Sequence, residues 1–515
     1  MMNHDYTDYI GAEHRKSFGQ YFTHPSIANF MIEWVIESGL KSIFDPAFGL
    51  GEFFTQSPDA CKNSYSAMEI DFKILDFWKK RTGCKSDFVT CGNYLHSWGM
   101  KHDNIVCNPP YMRFQKFVGR QKVFSNFKKY LDIELSGYTN VASAFLVKSL
   151  SELNKGGRLA YIMPLEFLNS GYGIYVKKLL LETGHLVGII QFNCEKEIFP
   201  DATTSVGIIL VDKSKSSSSV KFFSFSRIRD IEDFQHTFPI SEISIRNINE
   251  RDKWQPYFNK NKVEINKCVM TNLLYYGRFT RGIATGANNF FSLNRSKISE
   301  IGINESLDCK ACISKSFQIR KPFFEMDDLL TLMNDDKPVF LFSAHSTASP
   351  EVRSYIKMGE SKGLHKRYVT KNRKPWYKSE NREPAPLLFG VFTRGKYKVI
   401  RNTSKALNLT CFHGFYPNLS GLNYVDHLFL FLSSDIGRKI VAQVSRYYGD
   451  DLGKFEPNDI NNALVPKVDF FDTISHNEIL EAVAEYKKTD LIPSWLEAKF
   501  ENILIPSTLS STKEN

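Results

Sequence analysis

The chain has 515 residues, more than one hydrophobic core ordinarily fills, so at least two domains are expected. Its apolar content of 42% and charged content of 24% exclude disordered and fibrous classes, and no run of 18 or more apolar residues offers a membrane-spanning helix. The net charge of +10 suits a polyanionic partner without specifying one.

In chain order, the segment from Met1 to Arg15 is polar and lacks the apolar core of a secretion signal. A helix is predicted over Pro25–Glu37, then strands over Ser42–Phe44, Tyr65–Met68 and Asn104–Cys107. A second helix, Val141–Leu153, is expected to stop at Lys155-Gly156-Gly157, and strands follow at Arg158–Ile162, Val187–Phe192 and Ser205–Val211. Most of these strands are continuous apolar runs, as for strands buried on both faces of a sheet, and their alternation with helices predicts a largely parallel α/β domain over residues 1–245. Lys213–Ser219 reads as a hairpin tip. From about residue 246 the rhythm is lost. A second, mixed domain is expected over 246–506, with a flexible polar tail at 507–515.

Three motifs of the first domain carry chemistry. Asp45-Pro46-Ala47-Phe48-Gly49-Leu50-Gly51 is a Gly-rich turn at the carboxyl end of the first strand, where open α/β sheets bind ligands and where Gly49 and Gly51 let backbone approach closely. No Lys-Ser/Thr pair follows, which excludes a phosphate-binding P-loop. Glu69, in Met68-Glu69-Ile70-Asp71 at the end of the next strand, can accept hydrogen bonds from both hydroxyls of a ribose. Asn108-Pro109-Pro110-Tyr111 follows the Asn104–Cys107 strand. Its two prolines make a rigid turn without backbone donors. The Asn108 side-chain oxygen and Pro109 carbonyl are then two acceptors for the two hydrogens of one amino group, and Tyr111 offers a flat face for a planar base.

In the second half, Lys362 to Lys405 holds thirteen Lys or Arg against two acids, interleaved with aromatics such as Trp376 and Tyr377. This is the pattern expected of phosphate contact, with Lys371, Arg373, Lys374, Trp376 and Arg394 as the candidate residues for a polyanionic partner. The nine cysteines are scattered and odd in number, as for reduced thiols. Cys309 and Cys312 form a lone CxxC without the second pair that a zinc site needs, so no metal is expected.

Together these residues resemble the gamma class of DNA amino-methyltransferases, the adenine-modifying enzymes of type II restriction–modification systems. The resemblance runs from Gly19-Gln20-Tyr21-Phe22-Thr23 through the Gly-rich turn, Glu69, Asn108–Tyr111 and Gly156-Gly157-Arg158 to Ile198-Phe199-Pro200. It extends more loosely to Arg281–Asn288, Arg373–Tyr377 and Tyr448–Pro457 of a target-recognition region. It implies a Rossmann-like, S-adenosylmethionine-dependent methyltransferase domain with a C-terminal mixed α/β target-recognition domain. It also implies a cofactor site of Thr23, Asp45, Ala47, Gly49, Gly51, Glu69, Ile70, Asn93, Tyr94, Pro110 and Phe145, with Thr23 and Asp45 at the methionine end. Asn108, Pro109, Pro110 and Tyr111 would be catalytic, and Tyr111 and Phe199 would sandwich a target adenine flipped out of double-stranded DNA. A monomer in a bacterial or phage-host cytoplasm, associated with the nucleoid, is the implied setting, with any cognate restriction endonuclease a separate protein.

Three departures from the family pattern stand out. Phe48 and Leu50 replace small residues of the Gly turn, Gly92-Asn93-Tyr94 stands where an Asp usually precedes the aromatic, and Asp450-Asp451 replaces glycines. The alternatives are a methyltransferase acting on RNA adenine or a glutamine amide, which also present a planar NH₂, or a DNA-binding relative without catalysis. A fused nuclease does not fit a chain that begins almost at the methyltransferase core.

Overall fold

The computed structural model describes residues 2–85, 87–137, 139–198, 205–258, 265–344, 349–448 and 452–504. Two compact units divide at Lys262/Val263. The first therefore runs past the expected boundary at 245. Ile248, Trp254, Tyr257 and Phe258 are buried in its core, with Tyr257 and Phe258 packed about 5 Å from the Phe222 ring.

The first unit is built on a nine-stranded sheet. Its strands are β1 (Ile43–Asp45), β2 (Tyr65–Glu69), β3 (Val89–Cys91), β4 (His102–Cys107), β5 (Leu153–Pro164), β6 (Leu186–Phe192), β7 (Val206–Asp212), β8 (Ser219–Phe225) and β9 (Ser241–Ser244). Their order is β3-β2-β1-β4-β5-β7-β6-β8-β9. The strands from β3 to β5 are mutually parallel, while β7 runs antiparallel to both of its neighbours. Five of the predicted strands lie within two residues of β1, β2, β4, β6 and β7. Arg158–Ile162 lies inside the longer β5. β4 to β7 are apolar and buried on both faces, with core clusters above and below.

Two local expectations are corrected. Lys213–Ser219 is not a hairpin tip, because β7 and β8 do not pair. β6 lies between them and bonds to both, so the Ser/Lys-rich stretch crosses an already paired strand. Gly156-Gly157 does not stop a helix either. Helix Val141–Glu152 ends earlier, and the glycines lie inside β5. A Cβ at Gly157 would stand 1.8 Å from the Asp103 carbonyl oxygen, so only glycine lets β5 approach the start of β4.

Among its described residues the second unit has no such parallel core. A five-stranded sheet is ordered Gly277–Arg281, Phe412–Pro417, Leu387–Gly390, Val399–Asn402, Phe323–Phe324. Its central strand is apolar on both sides. Leu387 and Phe389 pack with the buried helix Val425–Ser433, while Leu388 joins the cluster around Phe340–Phe342 of a separate four-stranded sheet.

Candidate active site

One cavity of about 480 Å³ opens at the carboxyl ends of β1, β2 and β4, the position at which α/β sheets bind ligands. Thr23, Ala47, Gly49, Glu69, Ile70, Asn93, Tyr94, Asn108, Pro110 and Phe145 line it. Asp45, Gly51, Pro109 and Tyr111 are not among its lining residues, and Phe199 falls outside the described residues.

The floor is the turn after β1. Gly49 and Gly51 take left-handed conformations, with φ of 56° and 71°. A Cβ on Gly51 would also stand 2.6 Å from the Phe48 ring. The bulky Phe48 and Leu50 are compatible with this turn because they point into the protein. Phe48 packs edge-on against Trp78 and Phe88, and Leu50 sits with Tyr6 and Ile74. Asp45 is fully buried behind the turn, where it accepts hydrogen bonds from Ala47 N–H at 3.0 Å and Tyr65 O–H at 3.3 Å. It holds the turn from below and is not among the residues that line the cavity. Burial pushes its carboxyl up to about 7.

Glu69 ends β2 and faces the turn. One oxygen accepts the Gly49 N–H at 2.8 Å, and the other accepts the Asp71 N–H at 2.9 Å. Burial pushes this carboxyl up to about 7 as well, against the pull of those backbone donors. Asp71, two residues beyond Glu69, organises the neighbouring backbone. It caps helix Phe72–Thr82, receives Gln20 Nε2 at 2.8 Å, and lies 2.7 Å from His14 Nε2 and 3.3 Å from Tyr6 O–H. It thus ties the segment before Thr23 to the end of β2. An Asp ahead of a helical run signals an N-cap, but nothing local announces partners 51 to 65 residues away.

On one wall, Asn93 lines the cavity while its side-chain oxygen also caps a short helix through Leu95 N–H at 3.0 Å, so only one lone pair of that oxygen remains for a ligand. The Tyr94 and Phe145 rings lie 5.2 Å apart. Behind Tyr94 is a buried ion pair. Lys148 Nζ lies 2.6 Å from both Glu152 carboxylate oxygens and 3.7 Å from the centre of the Tyr94 ring, while Tyr94 O–H donates to Glu152 at 2.7 Å. Burial lowers Lys148 to about 8 despite its partner. Lys148→Met leaves a buried carboxylate without its cation and is expected to destabilise the unit by about 3–5 kcal/mol, whereas Lys148→Met combined with Glu152→Leu recovers most of that loss. Urea denaturation of both variants checks this; a double variant as unstable as the single one would contradict it.

The Asn108–Tyr111 turn leaves β4 with its tetrapeptide braced on the segment around Thr23. Asn108 Nδ2 donates to the Tyr21 carbonyl at 2.7 Å and to Thr23 Oγ1 at 3.1 Å. A carbonyl only accepts, so the amide orientation is fixed and the opposite atom must be the oxygen. That oxygen is buried and has no hydrogen-bond partner among the described residues. Tyr111 N–H bonds the Gly19 carbonyl at 3.0 Å, its hydroxyl reaches the Ile162 carbonyl at 3.3 Å, and its ring stacks on Tyr21 at 5.1 Å.

In the second unit Lys371, Lys374 and Arg394 are exposed, but two candidates are engaged internally. Arg373 donates to the Ala284 and Thr285 carbonyls and lies over the Phe291 ring at 5.7 Å. Trp376 donates to Glu360 at 3.0 Å and packs on Phe290. With Arg367 bonded to the Gly286 carbonyl at 3.1 Å, Arg373 pins the Arg281–Asn288 loop. Asp450-Asp451 lies outside the described residues. Cys309 and Cys312 lie on one strand, and among the described residues no three His, Cys, Asp or Glu are grouped to hold a metal. No described helix is long and apolar enough to cross a membrane.

Family models match most of the chain. N-6 DNA Methylase matches residues 7–77, Eco57I restriction-modification methylase matches 53–199, and the C-terminal domain of type II methyltransferase M.Eco57I matches 259–504. The type II methyltransferase M.AccI of Acinetobacter calcoaceticus is 35% identical over 501 residues, which covers 94% of this chain and 92% of that protein. M.HindII of Haemophilus influenzae is 24% identical over 358 residues, 63% of this chain and 65% of its own. Among solved structures, the type IIL restriction–modification enzyme MmeI in complex with DNA shares the fold with a TM-score of 0.56 at 12% identity, over 93% of this chain and 72% of that one.

Proposed function

The chain belongs to the type II DNA methyltransferases of restriction–modification systems and is a site-specific, adenine-specific DNA methyltransferase; from that premise we propose that its cavity holds S-adenosylmethionine and that Asn108 presents the target amino group to it. The observation that carries this reading is the orphaned Asn108 oxygen. A buried acceptor without a partner is costly, and a site that keeps one is built for a donor that arrives with the substrate.

The residues fit this cofactor. The cavity lies in the size range of small-molecule sites. Glu69 accepts ribose hydroxyls with the lone pairs left by Gly49 and Asp71. Tyr94, Ile70, Pro110 and Phe145 wall the adenine, and Thr23 lies toward the methionine end. When bound, S-adenosylmethionine supplies an electrophilic methyl on a sulfonium. The chain does the rest by positioning. The adenine leaves the duplex, a general requirement for chemistry on a stacked base. Asn108 Oδ1 and the Pro109 carbonyl accept the two N6 hydrogens, withdraw the nitrogen lone pair from the ring and aim it at the methyl. Tyr111, braced by Tyr21, and Phe199 stack on the base. The electrons of the broken C–S bond would stay on sulfur as a neutral thioether, one amino proton would pass to solvent after transfer, and no covalent enzyme adduct forms. Duplex DNA is the partner, a separate cognate nuclease is compatible with this reading, and a monomer in the host cytoplasm suffices.

Methyl transfer from labelled cofactor to unmethylated genomic DNA, followed by single-molecule sequencing, tests the reading. N6-methyladenine at one short motif is expected. Label in RNA or protein alone would overturn it.

A further inference from the structure

Between Asp103 and Asp132 the chain carries six Lys or Arg and no acid. Four of them, Arg113, Lys116, Arg120 and Lys122, follow directly on the Asn108–Tyr111 turn. All four are exposed, and none makes an ion pair among the described residues. Some exposed cations elsewhere in the unit pair with acids, while others, such as Lys73, Lys79 and Lys221, make no ion pair among the described residues. Lys80 pairs with Asp76, Arg81 with Asp5, and Lys128, at the far end of the same helix, with Asp132.

The segment is firmly held. Phe114, Val123 and Phe127 are fully buried, and backbone bonds join Phe114 to Thr139, Gln115 to Gly137 and Val141 to Met112. Met112, Lys116, Phe117 and Val118 form one rim of the cavity, and Val118, an apolar residue at the tip, is 93% exposed. Arg120 and Lys122 occupy the first turn of helix Arg120–Leu131, whose own partial positive charge disfavours cations there. Helix stability does not account for them. Four unpaired cations on an anchored rim, beside the opening through which a nucleotide must pass, match a polyphosphate backbone.

We propose that Arg113, Lys116, Arg120 and Lys122 grip the backbone phosphates flanking the extruded nucleotide, with Val118 resting against the base step it leaves. This rests on the adenine reading above and adds a DNA-contacting surface in the catalytic unit, separate from the basic stretch at 362–405.

The test uses the full chain, fragmented unmethylated genomic DNA and a potassium chloride series. The triple variant Arg113→Gln, Arg120→Gln, Lys122→Gln touches no cofactor-lining residue. It is expected to bind DNA at least about tenfold more weakly, and its plot of log affinity against log salt should flatten by roughly 0.9 per lost phosphate contact. Calorimetric affinity for S-adenosylmethionine should stay unchanged. The charge-keeping variant Arg113→Lys, Arg120→Lys, Lys122→Arg should retain the wild-type slope, which separates charge from fold. A glutamine variant with wild-type DNA affinity and slope would overturn the proposal even if the wild type methylates DNA. Weakened binding by that variant, with a wild type that methylates no DNA, would keep the surface and overturn the adenine reading instead.

Discussion

Asn108→Ala is expected to lower the single-turnover rate of methyl transfer by at least about 10²–10³-fold, the loss seen when one preorganised polar partner of a transition state is removed. The argument is geometric. The Asn108 amide is fixed at one end by the Tyr21 carbonyl and Thr23 Oγ1, so its oxygen cannot rotate away from the cavity. Alanine removes the acceptor and leaves one amino hydrogen without a partner in a site that excludes water. The nitrogen lone pair then stays conjugated with the ring. Cofactor affinity, measured by calorimetry, is expected to change by less than about tenfold, because one such hydrogen bond contributes about 1 kcal/mol net. Wild-type turnover in this variant would remove Asn108 from the chemistry. Lost activity together with lost cofactor binding would reassign it to the cofactor.

Glu69→Ala is expected to raise the cofactor dissociation constant by about a hundredfold or more, since hydrogen bonds to a charged group contribute about 1.5–3 kcal/mol each. It also leaves the Gly49 and Asp71 N–H groups without their acceptor. A pH dependence accompanies this. In the free protein burial holds the Glu69 carboxyl up at about 7. Ribose hydroxyls donate to the ionised form and so favour it, which lowers that value on binding. Binding therefore releases a proton near neutrality, and cofactor affinity falls by up to one log unit per pH unit as pH drops below about 7. Calorimetry between pH 5.5 and 7 in two buffers of different ionisation enthalpy measures the release. Asp45, also held near 7, does not touch the cavity and should contribute little to this linkage. For unfolding the sign is reversed. A carboxyl raised in the folded state removes stability as pH rises from its unfolded value toward 7. Glu69→Gln should abolish the proton release; if that variant releases protons as the wild type does, another group is responsible.

The segment 113–122 shows why charge is read unevenly from a sequence. The long basic run at 362–405 is conspicuous in composition, yet Arg373 within it is fixed to two carbonyls of the second unit. The shorter run beside Asn108 is inconspicuous, yet its four cations are exposed and make no ion pair among the described residues. Pairing depends on which acids the fold brings near, and composition does not record that.

What the sequence alone determined was local. The apolar runs within β4 to β7 show their burial on both faces directly. The Gly-rich turn, Glu69 and Asn108–Tyr111 declare their chemistry because each follows a strand at the same end of a parallel sheet. That rule of topology turns three separated motifs into one site. The tertiary structure decided what depends on distant partners. β6 pairs with both β7 and β8, so the apparent hairpin between those two does not form. Asp45 is drawn behind the turn by Tyr65, twenty residues on. Asp71 gathers Tyr6, His14 and Gln20. The free oxygen of Asn108 is known only because Tyr21 and Thr23, more than eighty residues earlier, hold the other end of its amide. Periodicity and turn chemistry act over a few residues and can be read in order along the chain. Hydrogen bonds and burial in a core join residues regardless of their separation, and only the folded chain shows which partners meet.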